Sequence, residues 1–142
     1  MKRVTTVVTF MLLGILTLFA QSNDPEENPL QGIWQISGKS PNGIDMASGP
    51  ILKIITPERT FTNLQLSVGE NRKSSILISG NYEILSDSVY TESIQFSATP
   101  PFTKTSKNEI KFKLLSDNLL QLRFKVPGQS KLFEEYWVRV TQ

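Results

Sequence analysis

One carboxylate is singled out by its neighbours. Glu92 shares a period-two face with Tyr90, Ile94 and Phe96, so an apolar face turned inward carries an acid with it. An unpaired buried carboxylate is costly and needs hydrogen bonds or a cationic partner. Two arrangements answer that need. In one, Glu92 and Tyr82 are the polar anchor of an interior cavity and orient the head group of a ligand. In the other, Glu92, Tyr82, Tyr136 and Arg139 form a structural network with no ligand. Acid–base catalysis by Glu92 and a tyrosine is a third chemistry, but it wants a second carboxylate and no strand pattern places one nearby. The expectation is therefore a protein that is not an enzyme.

The residue inventory excludes more. The 142-residue chain has no cysteine and no histidine, which removes disulfides, thiolate nucleophiles, Cys/His zinc sites and Ser-His-Asp relays. No Gly-rich phosphate loop, EF-hand pattern or internal repeat is present, and no cofactor or metal is implied. Asp87 and Asp117 lie in turn-like segments and read as turn residues.

Lys2 and Arg3 precede an apolar run from Val4 to Phe19, closed by Ala20 and followed by the polar Gln21-Ser22-Asn23-Asp24. That is the layout of a secretory signal cleaved after Ala20. A membrane anchor would need about 17–25 apolar residues, and this run is shorter. Cleavage leaves 122 residues, enough for one domain with its own core, and reduces Lys+Arg to 13 against 13 Asp+Glu. The formal charge of +2 on the whole chain then comes from the signal, and no nucleic-acid partner is expected. The expected location is periplasmic, secreted or surface-associated, with no transmembrane span once the signal is removed. A domain without disulfides in such a place relies on its core.

The elements that must position Glu92 are strands. Residues 21–29 read as a flexible leader, and residues 30–142 as the folded domain. Short runs alternating with period two lie near Ile33–Gly38, Pro50–Thr56, Thr60–Leu66, Ser75–Leu85, Val89–Ser97, Glu109–Leu115, Leu119–Val126 and Leu132–Val140. One face carries Ile76, Ile78, Tyr82 and Ile84, then Ile110, Phe112 and Leu114, then Leu120, Leu122 and Phe124. The other carries Lys111, Lys113, Arg123 and Lys125. A one-residue slip would turn a core face to water, so Ile84 should pair with Tyr90, Tyr82 with Glu92, Leu114 with Leu120 and Phe112 with Leu122. Three-residue loops at Ser86-Asp87-Ser88 and Ser116-Asp117-Asn118 meet that register. Short links alternate with long ones, two of which, Lys39–Gly49 and Ala98–Asn108, run to about eleven residues. That sorting predicts an all-β, eight-stranded antiparallel up-and-down barrel with one tight end and one loop-bearing end. Ile44 and Met46 in the first long link, and Pro100-Pro101-Phe102 in the second, are apolar enough to be lids or to be simple loop variation. For the last strand, alternation does not decide between the face of Tyr136 and that of Trp137.

Gly32-Ile33-Trp34 at the opening of the first strand resembles the Gly-x-Trp signature of lipocalin-type barrels. Arg139 stands near the end of the last strand, where lipocalins pack an arginine over that tryptophan. Gly80-Asn81-Tyr82, Asp87, Tyr90-Thr91-Glu92 and Glu135-Tyr136-Trp137-Val138-Arg139-Val140 are similar to the lipocalin-like exported proteins of Bacteroides and relatives, a family of unknown function. The resemblance implies a lipocalin or calycin-like barrel, exported, with Trp34 and Arg139 as a closed-end plug.

The functional expectation is a binding protein for a small apolar or amphipathic molecule. Tyr82, Tyr90, Glu92, Phe96, Phe112, Phe124 and Tyr136 are the candidate ligand contacts, with Ile78, Ile94 and Leu122 as further wall. The alternative is a filled barrel that binds or inhibits a protein partner through its outer face or loops.

Overall fold

The computed structural model describes residues 28–40, 43–67 and 73–141; the predicted export signal and most of the leader lie outside them. Eight strands follow one another: β1 (Gly32–Ser40), β2 (Gly43–Ile55), β3 (Thr60–Gln65), β4 (Ser75–Ser86), β5 (Val89–Ser97), β6 (Lys107–Ser116), β7 (Leu119–Lys125) and β8 (Leu132–Arg139). Each pairs antiparallel with the next, and β8 closes on β1 through Trp34↔Arg139 to Ser37↔Tyr136. The result is a closed up-and-down barrel, consistent with a lipocalin or calycin-like fold. Closure removes every sheet edge. Among the described residues no helix is long and apolar enough to cross a membrane.

The alternation works as a partition. On β6, Asn108, Ile110 and Phe112 are buried while Lys107, Glu109, Lys111 and Lys113 are exposed. The hairpin registers are Ile84↔Tyr90, Tyr82↔Glu92, Leu114↔Leu120 and Phe112↔Leu122. The turns reach them by a different route from the expected three-residue loops. Two residues turn the chain (Asp87-Ser88 and Asp117-Asn118), and register shifts after Ile84 and Leu114 absorb the extra residue. The bulge restores the inward parity that a bare two-residue turn would break.

Lys39–Gly49 is not a long link. β1 runs to Ser40 and β2 starts at Gly43, with pairs as far as Ser40↔Gly43. Two register shifts on this hairpin let a Gly- and Ser-rich stretch stay paired without regular alternation, which is why the sequence pattern hides it. Ile44 and Met46 therefore belong to a strand.

Bulges also correct two inward assignments. β3 pairs Asn63 with Ile78 but Leu64 with Ile76, so Leu77 is the extra residue and Ile76 is exposed. β4 pairs Ser79 with Phe96 but Gly80 with Ile94, so Gln95 is extra and Phe96 faces outward opposite Ser79. Gly80 makes this possible, because a Cβ there would collide with the carbonyl oxygen of Ser93.

The tight end is built around Trp34, which is fully buried beside Leu30. Its Nε1 donates to the Leu30 carbonyl at 2.7 Å, and the Arg139 guanidinium lies 4.1 Å above its ring. Arg139 also donates to the carbonyls of Gln31 (2.6 Å), Pro29 (3.0 Å) and Asp117 (3.0 Å). Gly32 is required here twice: its φ is +133°, and a Cβ would sit 2.7 Å from the Arg139 Nη1. Asn28 and Pro29, assigned to the flexible leader by sequence, are tied to the barrel, Asn28 through its amide to the Tyr82 hydroxyl at 2.5 Å.

Candidate functional site

The interior divides into two halves. Tyr82, Tyr90 and Phe112 fill the half toward the tight end in an edge-to-face series, with ring centroids 6.4 and 5.9 Å apart. The Tyr82 hydroxyl points away from Glu92 and donates to the Thr56 carbonyl at 2.9 Å. In the other half a cavity of about 170 Å³ remains. Its walls are Ile36, Ile51, Ile78, Ile94, Ile110, Leu122 and Phe124, and Thr99 and Phe102 from the β5–β6 link also line it. Lys53, Asn63, Glu92, Asn108 and Glu135 supply its polar lining.

Lys53 organises that lining. It alternates with Ile51 and Ile55 on β2 and is 2% exposed. Its Nζ donates to Glu92 Oε1 at 2.5 Å and to Asn63 Oδ1 at 3.2 Å. The rings of Phe61 and Trp137 lie 5.0 and 5.9 Å from the ammonium, a setting that favours a cation where water is scarce. Glu92, 4% exposed, accepts a second hydrogen bond on the same oxygen from the Tyr90 hydroxyl at 3.0 Å. Burial, then the charge of Glu92, push the Tyr90 phenol well above its ordinary range, so Tyr90 stays a donor. The acid that sequence singles out thus has its cation in Lys53 and not in Arg139, and its hydroxyl donor in Tyr90 and not in Tyr82 or Tyr136.

Glu135 is the second carboxylate that sequence reasoning does not find. Trp137 Nε1 donates to its Oε2 at 3.1 Å. Burial raises its pKa above the ordinary 4.5; Lys53 and the Trp137 bond oppose that, and Glu92 adds to it. The folded carboxyl therefore keeps its proton to a higher pH than the unfolded one, and the barrel loses stability as pH rises through that interval. Glu135→Gln is expected to stabilise the protein near pH 7 and to give no gain at about pH 3, below both the folded and the unfolded pKa. Urea unfolding at the two pH values checks this, and an equal gain at both would contradict it.

The predicted ligand contacts separate on the structure. Glu92 and Phe124 line the cavity, Phe124 stacked on Phe133 at 6.0 Å. Tyr90 touches Glu92 from beneath, and Tyr82 and Phe112 belong to the packed half. Phe96 is 48% exposed, turned out by the bulge. Tyr136 is also on the outer side: its hydroxyl donates to Glu134 Oε1 at 2.6 Å and accepts from Gln121 Nε2 at 3.1 Å. The inward face of β8 is that of Glu135 and Trp137. Lys53 escapes sequence reasoning because Ile51–Ile55 is apolar on both faces, although its parity with Ile51 and Ile55 is a signal. Asn108 escapes because the alternation read from sequence begins one residue later, at Glu109.

Residues 29–142 match a family described as a domain of unknown function, DUF4488. No curated protein matches the chain.

Proposed function

The chain belongs to the DUF4488 family, and from that premise we propose that its barrel is a binding protein for one small amphipathic molecule. The observation that carries this reading is the cavity, apolar on its walls and polar where Lys53, Glu92, Glu135, Asn63 and Asn108 converge. A barrel working only through its outer face has no need of unfilled space beside a buried ion pair. The volume also limits the ligand. About 170 Å³ is the liquid volume of roughly five or six waters, below the ≈ 300–1,000 Å³ of drug-sized sites. Long-chain lipids and fused ring systems are too large, whereas short-chain molecules and a single small ring fit, as benzene does in an apolar cavity of about 150 Å³. Binding is favoured over catalysis because Lys53 and Tyr90 already engage Glu92, leaving it a poor general base.

We place this activity outside the cytoplasm, in the periplasm or at the surface. Lys2, Arg3, the apolar run to Phe19 and the small Ala20 support that location.

The test is whether a small molecule stays with the folded protein in native mass spectrometry. Ile78→Trp, which puts a larger side chain at a partly buried wall position, is expected to expel it while leaving the melting temperature close to that of the natural chain.

A further inference from the structure

We infer that the ligand's polar head is a cation, an alkylammonium group received by Glu135 and Asn108; this rests on the cavity being the ligand site. The charges around the cavity do not balance. Two carboxylates, Glu92 and Glu135, line it with one ammonium, Lys53. Lys53 is committed to Glu92 at 2.5 Å and to Asn63 at 3.2 Å, so Glu135 has no cation of its own. One of its oxygens is held by Trp137. Among the described residues no donor is assigned to the other oxygen, and none to the Asn108 side chain, which is 7% exposed and lines the same cavity. What lines the space without a partner among the described residues is the second Glu135 oxygen and the Asn108 amide, whose oxygen can accept. A head rich in N–H donors and carrying positive charge satisfies both.

The alternatives fit less well. An anionic head would find Lys53 already paired and would meet two carboxylates, a like-charge contact in a partly desolvated place. A neutral hydroxyl can donate once but leaves the charge of Glu135 uncompensated. Burial raises the Glu135 pKa, and the pull of Lys53, already paired with Glu92, does not offset it. The walls at Ile78, Ile94 and Leu122 then take the alkyl chain.

Three probes of equal length decide the matter by calorimetric titration of the full chain: n-pentylamine, pentan-1-ol and pentanoate. Pentylamine is expected to bind about tenfold or more tighter than pentanol, the effect of about 1.4 kcal/mol, with pentanoate weakest. Glu135→Gln should bring the amine down to the level of the alcohol. Pentanol or pentanoate binding as tightly as the amine overturns the inference and leaves the cavity reading intact, as does an amine preference that survives Glu135→Gln. Failure of all three probes to bind overturns both. Should the variant not fold, the ranking on the natural chain decides.

Discussion

Lys53→Met is expected to destabilise the barrel by about 3–5 kcal/mol, the range for breaking a buried ion pair from one side. The size follows from what is left behind. Glu92 is 4% exposed and would keep only the Tyr90 hydroxyl, while methionine fills the space under Phe61 and Trp137 without a charge. The double variant Lys53→Met/Glu92→Leu should recover most of the loss, because replacing both members of a buried pair by apolar residues is often neutral or stabilising. Urea unfolding of the natural chain, both single variants and the double completes the cycle. A Lys53→Met cost below about 1 kcal/mol, or a double variant no better than the single, would contradict the account of this pair. The pair then reads as a fixture kept for the cavity rather than for stability.

Trp34→Ala should cost a similar amount at the opposite end, about 3–5 kcal/mol, or roughly 10–20 °C in melting temperature for a barrel of this size. The indole is fully buried, and its removal leaves a cavity that the closed strand ladder cannot collapse into. It also strips Arg139 of the ring beneath it while the guanidinium remains bonded to the Gln31, Pro29 and Asp117 carbonyls. Trp34→Phe should lose far less, since a ring remains under the guanidinium and only the 2.7 Å bond to Leu30 is given up. Thermal unfolding followed by circular dichroism separates the two variants, and equal losses would show that the stack contributes nothing.

The barrel was legible because its later strands state their faces twice, once as Ile and Phe inside and once as Lys and Arg outside. Tyr82↔Glu92 and Leu114↔Leu120 follow from parity alone. The loop rhythm that also pointed to a barrel was partly mistaken, since Lys39–Gly49 is mostly strand. The conclusion survived because closure rests on the strand faces and not on that link. The site was legible at Glu92 and Phe124 and at the wall residues Ile78, Ile94 and Leu122. Bulges defeat period-two reasoning, as Phe96 and Ile76 show, because a single extra residue reverses the face and leaves no mark in composition. Lys53 was hidden by apolar neighbours on both sides. β8 offered two mixed faces, and only the partners across the barrel, Lys53 above all, distinguish Trp137 inside from Tyr136 outside.

The proposed function turns on whether the space beside Lys53 and Glu92 holds a small molecule. Native mass spectrometry of the protein, purified without denaturant from the cell that makes it, tests this most directly. The expected result is a bound species small enough for about 170 Å³, present on the natural chain and absent from Ile78→Trp. A natural chain that flies at its bare mass, or an adduct that Ile78→Trp retains, would contradict it.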